Sequence, residues 1–434
     1  MKPAISRFIF IIILLGSGYF SVARDKPERL VHDSLMQVTD CPQKDIFDVI
    51  STKKVIDPEL PSQKIRAIVL PLIGFSPTTR FQFGAGASLS WPIGHNPATK
   101  LSAGATQLLW TTNKQLIFLV RSNMFLDQNK WFIQTDWRWY IFRLPTYGLG
   151  TGPKVYNANT PVDPADEDSY DNNGRYPMRY NWIRLHNILF REAAPHFFAG
   201  AGYHFDHYYD IHDDFLDLDP AHYVMTPHYA YSLLHKFNPS QYTTSGISLN
   251  FAYDSRDNII NAYKGVYINV NYLSNFTFLG SNRNGSRLWT EFRTYIGLCA
   301  QVPRHVLAFW VYGCYKVSGD LPYLNLMSNG FDQMNSSGRG YAQGRWRGED
   351  FMYGEVEYRF PISTCSRIVG GVLFANVATA SSRDAHVPLF GFFKPGAGFG
   401  FRIMVGKHDR TNILIDFGLG QFSQGFYLQA QEIF

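Results

Sequence analysis

The chain has 434 residues, 45% hydrophobic, 16% aromatic and only 17% charged, with a formal net charge of +5. That balance is small for the length and forms no basic patch, which excludes a nucleic-acid-binding protein. No run beyond the N-terminus approaches 18 apolar residues, which excludes a helical membrane protein. An aromatic, glycine-rich outer-membrane β-barrel remains, with a secreted β-sandwich or propeller as the other reading.

The first segment reads as an export signal. Lys2 and Arg7 are its positive region, Phe8 to Leu15 its apolar region, and Ser21-Val22-Ala23 a small-x-small cleavage site. Residues 1–23 are therefore expected to be removed. Residues 24–65 are expected to form a short periplasmic segment, helix-like from Lys44 to Ile56 and broken by Pro58 and Pro61. The barrel is expected over 66–434.

From there the pattern has period two, as required when one face of a strand meets lipid and the other a wet lumen. Trp131, Ile133, Thr135, Trp137 and Trp139 alternate with Phe132, Gln134, Asp136, Arg138 and Tyr140. Ile413, Ile415, Phe417 and Leu419 alternate with Asn412, Leu414, Asp416 and Gly418. Sixteen such segments are predicted at 66–74, 80–91, 99–111, 114–126, 130–143, 177–192, 195–209 and 243–254. They continue at 264–275, 285–301, 305–318, 350–361, 367–380, 394–405, 410–420 and 424–434. Long links near 144–176, 210–242, 319–349 and 381–393 all fall on one side, and the short links near 127–129, 193–194, 302–304, 362–366 and 406–409 fall on the other. That parity supports an all-β, sixteen-stranded transmembrane antiparallel barrel.

The ends of the barrel carry their own signals. Phe426, Leu428 and Ala430 are expected to share one face, and Phe434 reads as an aromatic terminus of the kind that outer-membrane assembly machinery reads. Glu432 is expected at the periplasmic rim, where a charge costs only ~0–1 kcal/mol. Where the first and last strands meet, Pro71 lacks a donor, and Gly74 and Gly425 weaken pairing. Ile68 is expected opposite Leu428, to within one register. Such a seam could open laterally and add an incoming strand to its edge.

Residues 338–362 join an arginine-and-glycine loop to a charged, alternating strand. Arg339, Arg345, Arg347 and Arg359 lie near Glu349, Asp350, Glu355 and Glu357. Inside a membrane barrel each of these charges must find a partner.

Other clusters carry less. The Asp163–Asp171 acids lack calcium-loop spacing. His204 and His207 should point to opposite faces of one strand. Gly396, Gly398 and Gly400 recur at period two with no following helix, so they fit close packing. Cys41, Cys299, Cys314 and Cys365 have no CxxC or metal-ligand spacing, and most of them are expected as free thiols in the membrane wall. No catalytic residue, metal or cofactor is expected.

With these residues in hand, the chain resembles the BamA/TamA family, also called the bacterial surface antigen family. Arg339-Gly340-Tyr341 looks like the family's loop-six arginine motif. Asp254-Ser255-Arg256-Asp257 followed by Lys264-Gly265 resembles its DSRD…G hairpin, and GAGFGFRI…ILIDFGLG…GFYLQAQEIF is similar to its last three strands. The resemblance implies that Arg339 folds into the lumen and meets Glu357. The family's FxDxG pattern falls on Phe374-Ala375-Asn376-Val377-Ala378, so Asn376 stands where an aspartate is expected. A looser lock, with one carboxylate and one neutral acceptor, is the expectation. The 24–65 segment is shorter than one periplasmic POTRA module, which the family's inserters carry.

The implied function is insertion or translocation of proteins at the outer membrane. A passive channel or a scaffold subunit of an envelope complex is the alternative. The implied partners are outer-membrane lipid, client outer-membrane proteins, and periplasmic or lipoprotein subunits.

Overall fold

The structure, a computed structural model, describes residues 44, 46–50, 66–76, 78–91, 93, 102–126, 130–152, 174–299, 304–363, 366–406, 410–430 and 432–434. The expected signal peptide, most of the 24–65 segment, the acidic run 163–171, Cys41 and Cys365 lie outside the described residues.

The chain forms a closed barrel in which each strand pairs with its neighbours in sequence and the first closes on the last. Its sixteen strands are β1 (Arg66–Ser76), β2 (Arg80–Trp91), β3 (Ser102–Thr111), β4 (Leu116–Leu126), β5 (Trp131–Arg143), β6 (Met178–Ala194), β7 (Phe197–Asp213) and β8 (Tyr242–Asp254). The second half comprises β9 (Gly265–Asn275), β10 (Gly285–Gly297), β11 (Val306–Gly319), β12 (Asp350–Pro361), β13 (Val369–Ala380), β14 (Lys394–Gly406), β15 (Thr411–Gly420) and β16 (Ser423–Ala430). Every pairing is antiparallel, so the long β5–β6, β7–β8, β11–β12 and β13–β14 links gather at one rim.

Alternation explains the wall. On β5, Trp137, Trp139 and Ile141 are exposed while Arg138, Tyr140 and Phe142 are buried. Outward apolar groups stay out of water in lipid, and inward polar groups find partners across the lumen. No described helix is long and apolar enough to cross a membrane.

Two departures from the sequence expectation matter. The 210–242 link contains a helix: α1 is the short Ile46–Ile50 turn near the chain start, and α2 spans Pro227–Leu234. Thr226 caps α2, its Oγ1 accepting from the Tyr229 amide at 3.4 Å, and Pro227 sits in the first turn where its missing N–H costs nothing. The second departure is at the other end. β16 stops at Ala430, and Glu432, Ile433 and Phe434 are buried rather than continuing to the rim.

The lumen is filled by two aromatic clusters. One brings Tyr140, Tyr180, Trp182, Tyr208 and Tyr242 of β5 to β8 against Tyr323 and Leu324 of the β11–β12 link. The other gathers Trp310, Tyr312, Phe351 and Tyr353 of β11 and β12 with Tyr341 and Trp346 of that link and Phe434. The link therefore runs inward and becomes the core. It folds on itself through a two-residue ladder, Met327–Ser328 with Arg347–Gly348. α2 covers it, with the Tyr231 hydroxyl donating to Leu321 O at 3.0 Å.

Candidate functional site

The inward link delivers Arg339 to the lumenal wall, where it is 1% exposed. Its Nη2 donates to Glu355 Oε1 at 2.5 Å and also to Glu357, while its Nη1 donates to Asp416 Oδ2 at 2.7 Å. Glu355 and Glu357 share one face of β12, and Asp416 projects inward from β15. The guanidinium carbon lies 3.6 Å from the Phe374 ring centre, a cation–π contact from β13. Burial disfavours the Arg339 charge, but Glu355, Glu357 and Asp416 outweigh it and hold its pKa well above the ordinary value.

This geometry corrects the expected lock. Asn376 is no acceptor for the guanidinium; its Nδ2 donates to the Arg339 backbone carbonyl at 3.0 Å. Asp416 supplies the carboxylate that β13 lacks, so the lock has three carboxylates rather than one and a neutral substitute. The network extends further. Arg402 on β14 donates to Asp416 Oδ1 at 2.5 Å and to Glu432 Oε2 at 2.8 Å, and Arg359 donates to Glu357 Oε2 at 2.7 Å. Three guanidiniums thus meet four carboxylates, all nearly inaccessible to solvent.

The loop tip lies against a wall of glycines. Gly340 has φ +102°, a left-handed conformation that favours glycine, and an added Cβ would approach Leu419 C at 2.7 Å. A Cβ on Gly418 would come within 2.6 Å of Gly340 N, and one on Gly420 within 2.6 Å of the Tyr341 ring. The period-two glycines of β14 and β15 are the space that admits Arg339-Gly340-Tyr341. Tyr341 donates to Pro395 O at 2.5 Å and accepts from Gln421 N at 2.8 Å. The tip is also bonded to the last strand: the Tyr427 hydroxyl accepts from Gly340 N at 3.0 Å and donates to Tyr341 O at 3.2 Å. Gly425 is in register with Gly418 of β15.

Phe434 is likewise relocated. Its ring packs 5.3 Å from Trp310, and its carbonyl accepts from Arg359 Nη2 at 3.0 Å. Glu432 leaves the expected rim because Arg402 and Asn412 bind it inside, the latter at 2.6 Å. Phe426 stays on the outer face, 42% exposed. The DSRD segment also folds under the barrel: Asp254 pairs with Arg256 at 2.8 Å and Asp257 with Arg410 of the β14–β15 turn at 2.8 Å. Asn261 of the same segment approaches Arg359 at 3.5 Å.

At the seam, β1 from Arg66 to Ser76 is in register with β2 throughout, whereas among the described residues only Phe75 is in register with β16, opposite Leu428. Ile68 is therefore not opposite Leu428; it pairs with Ser88 of β2. The physical reason is the tail. A partner for Ile68 would have to lie seven residues past Leu428, and the chain has turned into the lumen before that. Close approach survives at Gly74, where an added Cβ would lie 2.9 Å from Leu428 O. Pro71 sits among the β1 residues beyond the registered pair.

Elsewhere, His204 is buried in the lumen beside Ser248 at 2.7 Å, whereas His207 bonds Thr243 at 2.8 Å. Cys314 is a free, buried thiol. The residues that sequence reasoning left without a role are Glu355, Asp416, Arg402 and Glu432. Inward parity marks the first three, but no local signal says which of them share one arginine.

The barrel and its inward arginine loop define an integral outer-membrane β-barrel whose lumen is closed by its own chain. An Omp85 superfamily domain matches residues 161–417, more than half of the chain. The chain belongs to the Omp85 superfamily. Two solved structures share its fold: BamA from Haemophilus ducreyi lacking POTRA domains 1–3, at 12% identity, and CdiB from Escherichia coli, at 10%. The first likeness covers 85% of this chain and 70% of the other with a TM-score of 0.54. The second covers 86% and 63% with a TM-score of 0.52, so the chain spans less than two thirds of the CdiB length. A comparison with curated proteins returns no match.

Proposed function

We propose that the protein inserts or translocates other proteins at the outer membrane, and that the β1–β16 seam is where clients enter. The observation that carries this reading is the short registration of β1 with β16, Phe75 with Leu428 alone among the described residues, beside fully registered neighbours. An unpaired strand edge is a template for another strand, and lost ladder bonds lower the cost of parting the seam. Tyr427 ties the arginine loop to the same strand, so release of the loop and parting of the seam are coupled.

The Omp85 family supports the class of function, and the fold likeness to BamA and CdiB agrees with it. Partners of this chain would be client outer-membrane proteins together with periplasmic or lipoprotein subunits. The test is a Phe75→Cys/Leu428→Cys pair. Directly opposed residues on antiparallel strands lie within about 4.5–5.5 Å at Cβ, close enough to oxidise. The cross-linked protein should lose client insertion and regain it on reduction. Undiminished insertion with the seam locked would overturn the lateral-entry reading.

A further inference from the structure

The arginine lock leaves one part of the lumen unused. Between the underside of the inward loop and the wall of β5 to β11 lies a cavity of about 150 Å³. That is some ten times the ~10–15 Å³ one water needs. Its two sides differ in chemistry. The loop contributes apolar groups, among them Phe331 and Met327, whereas the strands contribute Arg287, Asn269, His204 and the ring of Trp289.

Charge is out of balance there. Asp136 is bound by Arg138 at 2.6 Å and Asp206 by Arg184 at 2.8 Å. Arg121 stands 3.7 Å from the already neutralised Asp136. Arg287 has no carboxylate partner among the described residues; its Nη1 alone reaches Asn325, at 3.1 Å to the side chain. Asp332 of the loop is occupied by the Met334, Ser336 and Ser337 amides. Of these groups Arg184, Arg287 and Asp136 line the cavity, and Asp136 is already taken up by Arg138, so Arg287 presents a cation without a carboxylate ion pair to a confined space that suits an anion.

Hydrogen-bonding capacity is also unspent. Asn269 gives its amide N–H to Tyr267 at 2.9 Å, which leaves Oδ1 buried without a donor. His204 is 6% exposed; its Nε2 meets Ser248 while Nδ1 has no partner. Buried polar atoms are nearly always satisfied, so these two mark where a ligand or ordered water belongs. The site thus offers a guanidinium for an anion, an acceptor for a hydroxyl and an aromatic face for a ring.

We infer that this cavity binds a small hydroxylated anion of the acidic-sugar or sugar-phosphate class. Arg287 takes the carboxylate or phosphate, Asn269 Oδ1 and His204 Nδ1 take hydroxyls, and the C–H face of the ring rests on Trp289. The site is separate from the Arg339 network and does not depend on whether the seam opens.

The test is isothermal titration of the full chain in detergent with glucuronate and glucose 6-phosphate, against glucose, acetate and inorganic phosphate. Both hydroxylated anions should bind saturably, and at least tenfold more tightly than the other three. Arg287→Gln should weaken them tenfold or more, and Asn269→Leu severalfold. Arg283→Gln, in the β9–β10 link, should change nothing. No saturable binding, or unaltered binding by either cavity variant, would overturn the site. Acetate or phosphate binding as tightly as the sugars would overturn the hydroxyl part. Should Arg287→Gln fail to give the heat-modifiable folded form, Asn269→Leu decides, because it leaves every charge in place.

Discussion

Arg339 is bound by three carboxylates in the lumen. Replacing it with alanine leaves four carboxylates facing two guanidiniums, and breaking a buried charge pair costs about 3–5 kcal/mol. Arg339→Ala should therefore lower the denaturation midpoint of the folded barrel more than Glu357→Ala, because each carboxylate of the lock is backed by others. Asn376→Ala removes one hydrogen bond to a backbone carbonyl and should cost only about 1 kcal/mol. Equal losses for Arg339→Ala and Asn376→Ala would contradict this ordering.

Asn376→Asp is more telling. Restoring the family's acid should destabilise the barrel, by about 1–3 kcal/mol, since Asp416 already fills that role and a fifth carboxylate would be unpaired. Asp257, in the β8–β9 link, offers a pH test. Burial pushes its pKa up, but Arg410 and the Tyr263 and Lys264 amides outweigh that and lower it. A depressed carboxyl pKa contributes stability that is complete above the ordinary value of ~3.9 and lost as pH falls through the folded value. Asp257→Asn should lower the melting temperature at pH 7 and change it little at pH 2.

At the scale of elements, the strands were legible because lipid and lumen impose period two on every one of them. Trp137 and Arg138 are told apart by adjacency alone. The glycines of β14 were also legible as a need for close packing, although their guest and the part played by Gly418 and Gly420 of β15 were not. Gly418→Ala should push the Gly340 backbone off the wall and expose Tyr341, read as faster proteolysis of the 320–349 link. Unchanged protection would argue against the docking. The seam register was not legible. It depends on where β16 ends, and that is decided by Arg402 and Asn412 drawing Glu432 inward from other strands. α2 had a local signature in Thr226-Pro227, but a single cap inside a long link is a weak signal until its packing on Leu321 is seen.

For the whole molecule, the inward loop, the buried tail and the DSRD segment close the lumen from different directions. A barrel so filled should show little steady conductance in a planar bilayer, and Arg339→Ala should raise it or make it flicker. Large stable wild-type conductance would favour an open channel instead. The resemblance of Arg339-Gly340-Tyr341 to a family motif brought the arginine to the lumen. The identity of its partners required β12 and β15 side by side with β13 and β14.

Strand number, strand parity and the placing of long and short links were determined by the sequence itself, since each depends on a strand's two immediate environments. The three-carboxylate lock, the inward tail, the Phe75–Leu428 register of the seam and the lone guanidinium of Arg287 were decided only by tertiary structure. They are contacts between residues far apart in the chain, and a buried charge takes whichever partner the closed barrel brings within reach.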